Sequence, residues 1–319
     1  MMHIYRTLSL LACCLVLFHP LTAQSFSGKV TYRVHYEGKR GGYRTEFWNR
    51  YEGNYHIFYT DGCNQRTDYL FNDQLLQTIL YRCDSGLSYL MYPEIDRVLQ
   101  YDQQNLDRQF EIVSQQENVM DILGIACNRL IANYERYGRK GKVEYFFSSE
   151  HYLDDQVPLA DNCLIREGDV RTAIPLAVVE GSRNTYRATE AIDVEPMALP
   201  DSTFALPESS RVVLNGLVLD TRPEPKRGYE WWFGKLQRSV RYPSSARKDL
   251  ATGRVNVMFT ITEEGKIKDI EVVNEVDEVF KRRVLTFLHD SLAKWKPGQV
   301  DGKPVSSTLV MPVSFQVFP

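Results

Sequence analysis

His151 stands close in sequence to Ser149, Asp154 and Asp155, the residue types of a nucleophile, base and carboxylate relay. Such a relay needs the three groups brought within hydrogen-bond reach by a fold, and closeness along the chain does not supply that geometry. The proline and polar residues nearby predict a solvated loop instead. Glu263 and Glu264 form a paired carboxylate, but Gly265 after them predicts a hairpin turn, where solvation accounts for both. His35, His56, His151 and His289 are scattered, and His289 falls on an amphipathic stretch as a surface or packing residue. EGKRGG at 37–42 has the glycines and charge of an anion site, yet it lies between two strand-like runs and reads as a turn. No G-x-x-x-x-G-K-[ST], H-E-x-x-H or G-x-S-x-G string occurs. The expectation is a chain with no catalytic residues, no cofactor and no metal site.

KWKPGQVDGKPV at 294–305 offers a second anion-site vocabulary. Its glycines follow a helical stretch, whereas amide cradles for phosphate open a helix. Trp295 is expected to pack the last helix onto a sheet, Pro297 and Gly298 to stop that helix, and Asp301-Gly302 to turn the chain. Outside the leader, Cys63, Cys83, Cys127 and Cys163 are an even set without a Cys-x-x-Cys pair. That spacing disfavours zinc and suits disulfides in an oxidising compartment. Local loop closure favours Cys63 with Cys83 and Cys127 with Cys163.

Residues 1–23 combine a short basic start, the apolar run SLLACCLVLF, a proline and a small residue at Ala23, the layout of a cleaved export signal. No later stretch is long and apolar enough to span a bilayer, so the exported chain is expected to be soluble and periplasmic. Losing the leader leaves 37 basic against 41 acidic residues, a net charge of −4. A mildly acidic chain offers no overall basic field for nucleic acid or anionic lipid.

The 319 residues, 43% of them apolar, suffice for two packed cores. Residues 24–207 hold short runs rich in Tyr, Phe, Val and Thr, separated by Gly, Asn and Asp, among them GGYRTEFWNRYEGNYHIFYTDG. Val30, Tyr32, Val34 and Tyr36 alternate with Lys29, Thr31, Arg33 and His35, the period of a half-buried strand. An antiparallel meander forming a curved sheet or partial barrel is expected. Residues 208–228, with Pro223, Pro225 and Gly228 among charges, read as a linker. In 229–319 the period changes. Trp232, Leu236 and Val240 predict a helix, with a second short helical piece after Pro243. Val255, Val257, Phe259 and Ile261 lead through Gly265 to Ile267 and Ile270 as a hairpin. Phe280, Val284, Phe287 and Leu288 or Ser291 mark another helix, and STLVMPVSFQVF a closing strand. An α+β domain is expected here, a small antiparallel sheet packed against helices.

Several separated strings in this last region, YPSSARKDLATGRVNVMFTITEEGKIKDIEVV, AKWKPGQVDGKPV and VMPVSF, resemble the carboxy-terminal domain of TonB, the periplasmic part of an energy transducer. The matching positions are Tyr242, Pro243, Gly253, Gly265, Trp295, Pro297 and Gly298, with Pro312 to Phe315 in the last strand. The resemblance implies binding of an envelope or outer-membrane protein by strand addition to an exposed edge. On that basis the edge is the final strand, with Thr308, Val310, Val313, Phe315 and Val317 as partner-binding positions. The chain departs from the transducer in having a cleavable leader in place of a permanent membrane helix and long spacer. Ser239, Val240 and Arg241 also replace a Gln-Pro-Gln receptor segment. The run DILGIACNRLIANYE, then VEYFFSS and YRATEAIDVEPMALPDSTFALP, resembles exported β-rich proteins of the GLPGLI type and carrier-like relatives from Bacteroidetes, although the GLPGLI string is absent. That likeness implies a concave sheet able to hold a lipid or peptide, the alternative function.

Overall fold

The computed structural model describes residues 25–38, 45–102, 108–136, 139–153, 165–167, 171–181, 185–240, 242, 253–289 and 294–315. The leader, Pro243 and the piece after it, Cys163, Asp154, Asp155, Ser291 and Val317 lie outside these residues, as does most of EGKRGG. Strand β1 (Gly28–Gly38) follows its sequence alternation: Val30, Tyr32, Val34 and Tyr36 are buried, while Arg33 and His35 are exposed.

The next element corrects an expectation. Within GGYRTEFWNRYEGNYHIFYTDG, Thr45–Glu52 is not a strand but helix α1. Phe47 and Tyr51 stand one turn apart with rings 4.9 Å apart, and Glu46 and Arg50 complement the helix ends. Aromatic residues suit strands on average, but here one helical face buries Phe47 and outweighs that preference. Gly53 (φ +90°) ends the helix, where a side chain would meet the Leu70 carbonyl at 2.9 Å.

The meander then runs through β2 (Tyr55–Thr60), β3 (Gln65–Phe71), β4 (Gln74–Arg82), β5 (Leu87–Met91) and β6 (Arg97–Tyr101). Three longer strands follow, β7 (Arg108–Ile122), β8 (Ile125–Arg136) and β9 (Arg139–Leu153), then β10 (Ile165–Glu167), β11 (Arg171–Gly181) and β12 (Thr185–Pro196). β12 returns to pair with β1, so the chain wraps into one open sheet, ordered from β6 through β1 and β12 out to β7. Its core joins Val30, Tyr32, Phe58, Tyr81, Leu153 and Ile174, packed against one another.

Residues 208–228, expected to link two domains, carry order of their own. β13 (Arg211–Leu214) pairs in parallel with β6, which makes it the thirteenth strand of the large sheet. β14 (Glu224–Pro225) pairs farther along the chain with β17 (Trp295–Lys296). The carboxy-terminal part contains helix α2 (Tyr229–Ser239), β15 (Gly253–Ile261), β16 (Ile267–Val272) and helix α3 (Glu278–His289). β17, β18 (Gly298–Val300), β19 (Lys303–Val305) and β20 (Ser307–Phe315) complete it. β16, β15 and β20 form a three-stranded antiparallel sheet, and both helices bury Trp232, Leu236, Phe280, Val284, Phe287 and Leu288 against it.

Trp295 is a buried packing residue, but the rings it meets are those of Trp232 on α2 (5.5 Å) and Phe259 on β15 (5.8 Å), rather than of the last helix as expected. Pro297 and Gly298 do not stop the last helix. Lys294 already lies outside any helix, Pro297 joins β17 to β18, and Gly298 is the first residue of β18. Gly298 is required by closeness, since a side chain there would meet Leu219 at 2.4 Å. Asp301 and Gly302 do turn the chain, both with positive φ, closing a β18–β19 hairpin.

Candidate functional site

The positions singled out on the last strand fall on different faces. Leu309, Val313 and Phe315 point to the helices and are buried in that core. Thr308 is buried on the opposite face, sharing a 3.0 Å hydrogen bond with Thr260. Val310 shares that opposite face and packs with Met258, Val273, Tyr92, Leu99 and Val213. Val313, Phe315 and Thr308 are therefore core side chains. What the strand offers outward is its backbone.

Which backbone groups face outward follows from Asn256. Its N–H donates to Asn274 Oδ1 (2.6 Å) and its carbonyl accepts from Val273 (2.9 Å), both on the β16 side. Asn256 stands opposite Pro312 across the β15–β20 ladder, so that pair exchanges no hydrogen bonds. The register runs from Ser307 to Phe315 without a break. Thr308, Val310, Pro312 and Ser314 therefore direct their backbone groups away from β15. Thr308 uses its outward side in a parallel bridge to Asn215, consistent with this assignment. Beyond it, carbonyls at Val310, Pro312 and Ser314 and N–H groups at Val310 and Ser314 face outward, with no further strand paired to them among the described residues. Pro312 supplies no donor, which blunts the edge without closing it.

The other edge of this small sheet, β16, is interrupted. Asp269 adopts φ +50°, the ladder to β15 shifts register nearby, and Lys268 is exposed. The face opposite the helices is covered by the large sheet. Met258, Val273 and Val310 pack on Tyr92, Leu99, Leu90, Ile95 and Val213. Two ion pairs flank this contact, Arg97 with Glu271 (2.9 Å) and Arg254 with Glu52. Arg97 is almost fully buried, so its pairing with Glu271 offsets the cost of desolvating a guanidinium.

Glycines set the frame around the edge. Gly265 (φ +76°) turns the β15–β16 hairpin, and a Cβ on it would sit 2.0 Å from the Trp295 carbonyl oxygen. The Trp295 N–H donates to the Gly265 carbonyl, so hairpin and β17 are fastened together. A Cβ at Gly253 would meet the Phe280 ring at 2.7 Å, and Tyr242 packs edge-on against that ring at 5.8 Å. These residues hold the sheet.

The remaining candidates separate. Cys63 and Cys83 form a disulfide across two turns. Cys127 is not paired with Cys163: it is a free, buried thiol at 3.3 Å from the Ile125 carbonyl, and burial pushes its pKa up. Local loop closure suggested the pair, but β8 points this side chain into the sheet's own core. His151 packs on Phe26 with ring centroids 5.2 Å apart, and burial lowers its pKa. Glu263 and Glu264 are exposed, with Glu264 held low by the Thr262 hydroxyl. No group of His, Cys, Asp and Glu among the described residues could hold a metal, and no described helix is long and apolar enough to cross a membrane.

No curated protein matches the chain. Among solved structures, PNGF-II in two crystal forms aligns over 76% and 74% of this chain, at 9% and 11% identity and TM-scores of 0.38 and 0.35. The chain spans 45% and 44% of those PNGF-II chains. LprF from Mycobacterium bovis aligns over 55% of this chain and 89% of its own, with 9% identity and a TM-score of 0.20. Helix α3, the three-stranded sheet and the open β20 edge all fall in one stretch, and it is this stretch, residues 238–317, that matches the family described as the Gram-negative bacterial TonB protein C-terminal, while most of α2 precedes it.

Proposed function

We propose that this is an exported, non-catalytic protein of the cell envelope that holds a partner protein by strand addition to the outer edge of β20. The observation that carries the reading is the outward row of backbone groups from Val310 to Ser314, in a module matching the TonB carboxy-terminal family. Both faces of the sheet are occupied, so affinity rests on main-chain hydrogen bonds. The leader and this family both fit a periplasmic location and an outer-membrane receptor or transport component as partner.

Ser314 provides the test. It is exposed, and its N–H points away from β15, so Ser314→Pro removes an outward donor while leaving the β15 ladder in place. Recovery of crosslinked envelope proteins with the full chain should fall by at least about fivefold in this variant, the equivalent of one hydrogen bond of about 1 kcal/mol. The melting temperature should stay close to that of the parent. Undiminished recovery of the same partners would reject strand addition at this edge.

A further inference from the structure

The chain is acidic overall, but its charge is unevenly placed. Residues 226–239, which include α2, together with α3 at 278–289, carry seven lysines and arginines against two acidic residues, Glu230 and Glu278. The two helices meet in the core, where the Trp232 and Phe287 rings are 5.6 Å apart. Both bury their apolar stripes in one core, which leaves the polar side of each helix facing outward. Arg227, Arg238, Arg282 and Arg283 are exposed there. None of these cations takes part in the ion pairs of the described residues.

Aromatic rings lie among them. Phe233 is 44% exposed and stacks on Tyr229 at 5.8 Å. Trp231 is half-buried, with the Arg227 guanidinium 4.5 Å and the Lys235 ammonium 5.5 Å from its ring centre. Aromatic rings beside basic side chains on an amphipathic helix suit the boundary between lipid headgroups and acyl chains: rings enter, and cations meet phosphate. We propose that the α2–α3 surface docks on an anionic phospholipid bilayer, placing the module on a membrane while the β20 edge stays open to its partner. Two aromatic rings bury little apolar area, so charge supplies most of the attraction and the contact is peripheral and salt-sensitive.

The chain from residue 24 onward, free of the apolar leader, would be sedimented with vesicles of equal parts phosphatidylglycerol and phosphatidylcholine, and with phosphatidylcholine alone. Binding to the anionic vesicles is expected, with release in high salt and little binding to the neutral ones. The variant K235Q/R238Q/R282Q/R283Q should bind the anionic vesicles at least about tenfold more weakly, since each cation contributes at such a surface. Phe233→Ser, which keeps every charge, should weaken binding by a smaller factor. Thermal melts of both variants establish that they are folded. Absence of binding by the parent chain, equal binding to neutral vesicles, or full retention by the folded charge variant would each overturn the proposal. The β20 edge is untouched by these changes, so loss of vesicle binding with partner capture intact separates this surface from strand addition.

Discussion

His56 shows how much one side chain can make the fold depend on pH. It lies in a row across the sheet, opposite Tyr32 on β1 and Tyr69 on β3, with its ring 4.3 Å from that of Tyr69. Its Nε2 is buried and has no hydrogen-bond partner. Burial first, and then the charge of Arg187, pulls its pKa down to about 3. A histidine lowered in this way is neutral in folded and unfolded chains above pH 6.5. As pH falls below that value the unfolded chain takes up a proton that the folded chain refuses. The stability present above pH 6.5 is therefore lost progressively toward pH 3, by about 1 kcal/mol per pH unit from this group. His56→Phe removes the proton site and keeps an aromatic ring. Denaturant melts at about pH 7 and about pH 4 should show a smaller loss for the variant than for the parent. Equal losses would assign the acid sensitivity to other groups.

Among elements, the β2–β5 meander is fastened at its turns. Cys63 follows β2 and Cys83 follows β4, and the bond between them spans a sequence separation of 20. Asp61 Oδ1 accepts from the N–H groups of Cys63 and Asn64, and Asn64 Oδ1 accepts from that of Cys83, so both turns are ordered around the bond. Constraining a loop of that length in the unfolded chain is worth about 3 kcal/mol. The double variant C63S/C83S should lower the urea midpoint accordingly, and reductant should bring the parent to the same value. A midpoint unaffected by either treatment would contradict this role.

Elements of this kind were readable from sequence where period and turn chemistry agree. The alternation from Val30 to Tyr36, the helical spacing of Trp232, Leu236 and Val240, and Gly265 at its hairpin all appear in the fold. Helix α1 was hidden because Phe47, Trp48 and Tyr51 suit a strand equally well, and tertiary burial of Phe47 decides between them. The candidate edge was legible as a strand but not as a set of outward groups. Its parity depends on Asn256 bonding toward Asn274 and Val273, a relation no local pattern contains. The basic character of α2 and α3 was masked by net charge, which sums over the whole chain.

At the scale of the molecule, contact between the two sheets determines where a partner can bind. One face of the small sheet holds α2 and α3, and the other rests on β5, β6 and β13 through Met258, Val273 and Val310. Only edges remain, and β16 is bent at Asp269 while β20 is blunted by Pro312 alone. Strand addition at β20 is thus the central claim. Its most direct measurement places a photo-crosslinking residue at Ser314 on β20 or at Lys268 on β16, each in the full chain within its native envelope, and identifies the captured proteins. The account predicts capture of a specific envelope protein from position 314 and little or none from position 268. Equal capture from both, or capture from 268 alone, would contradict it.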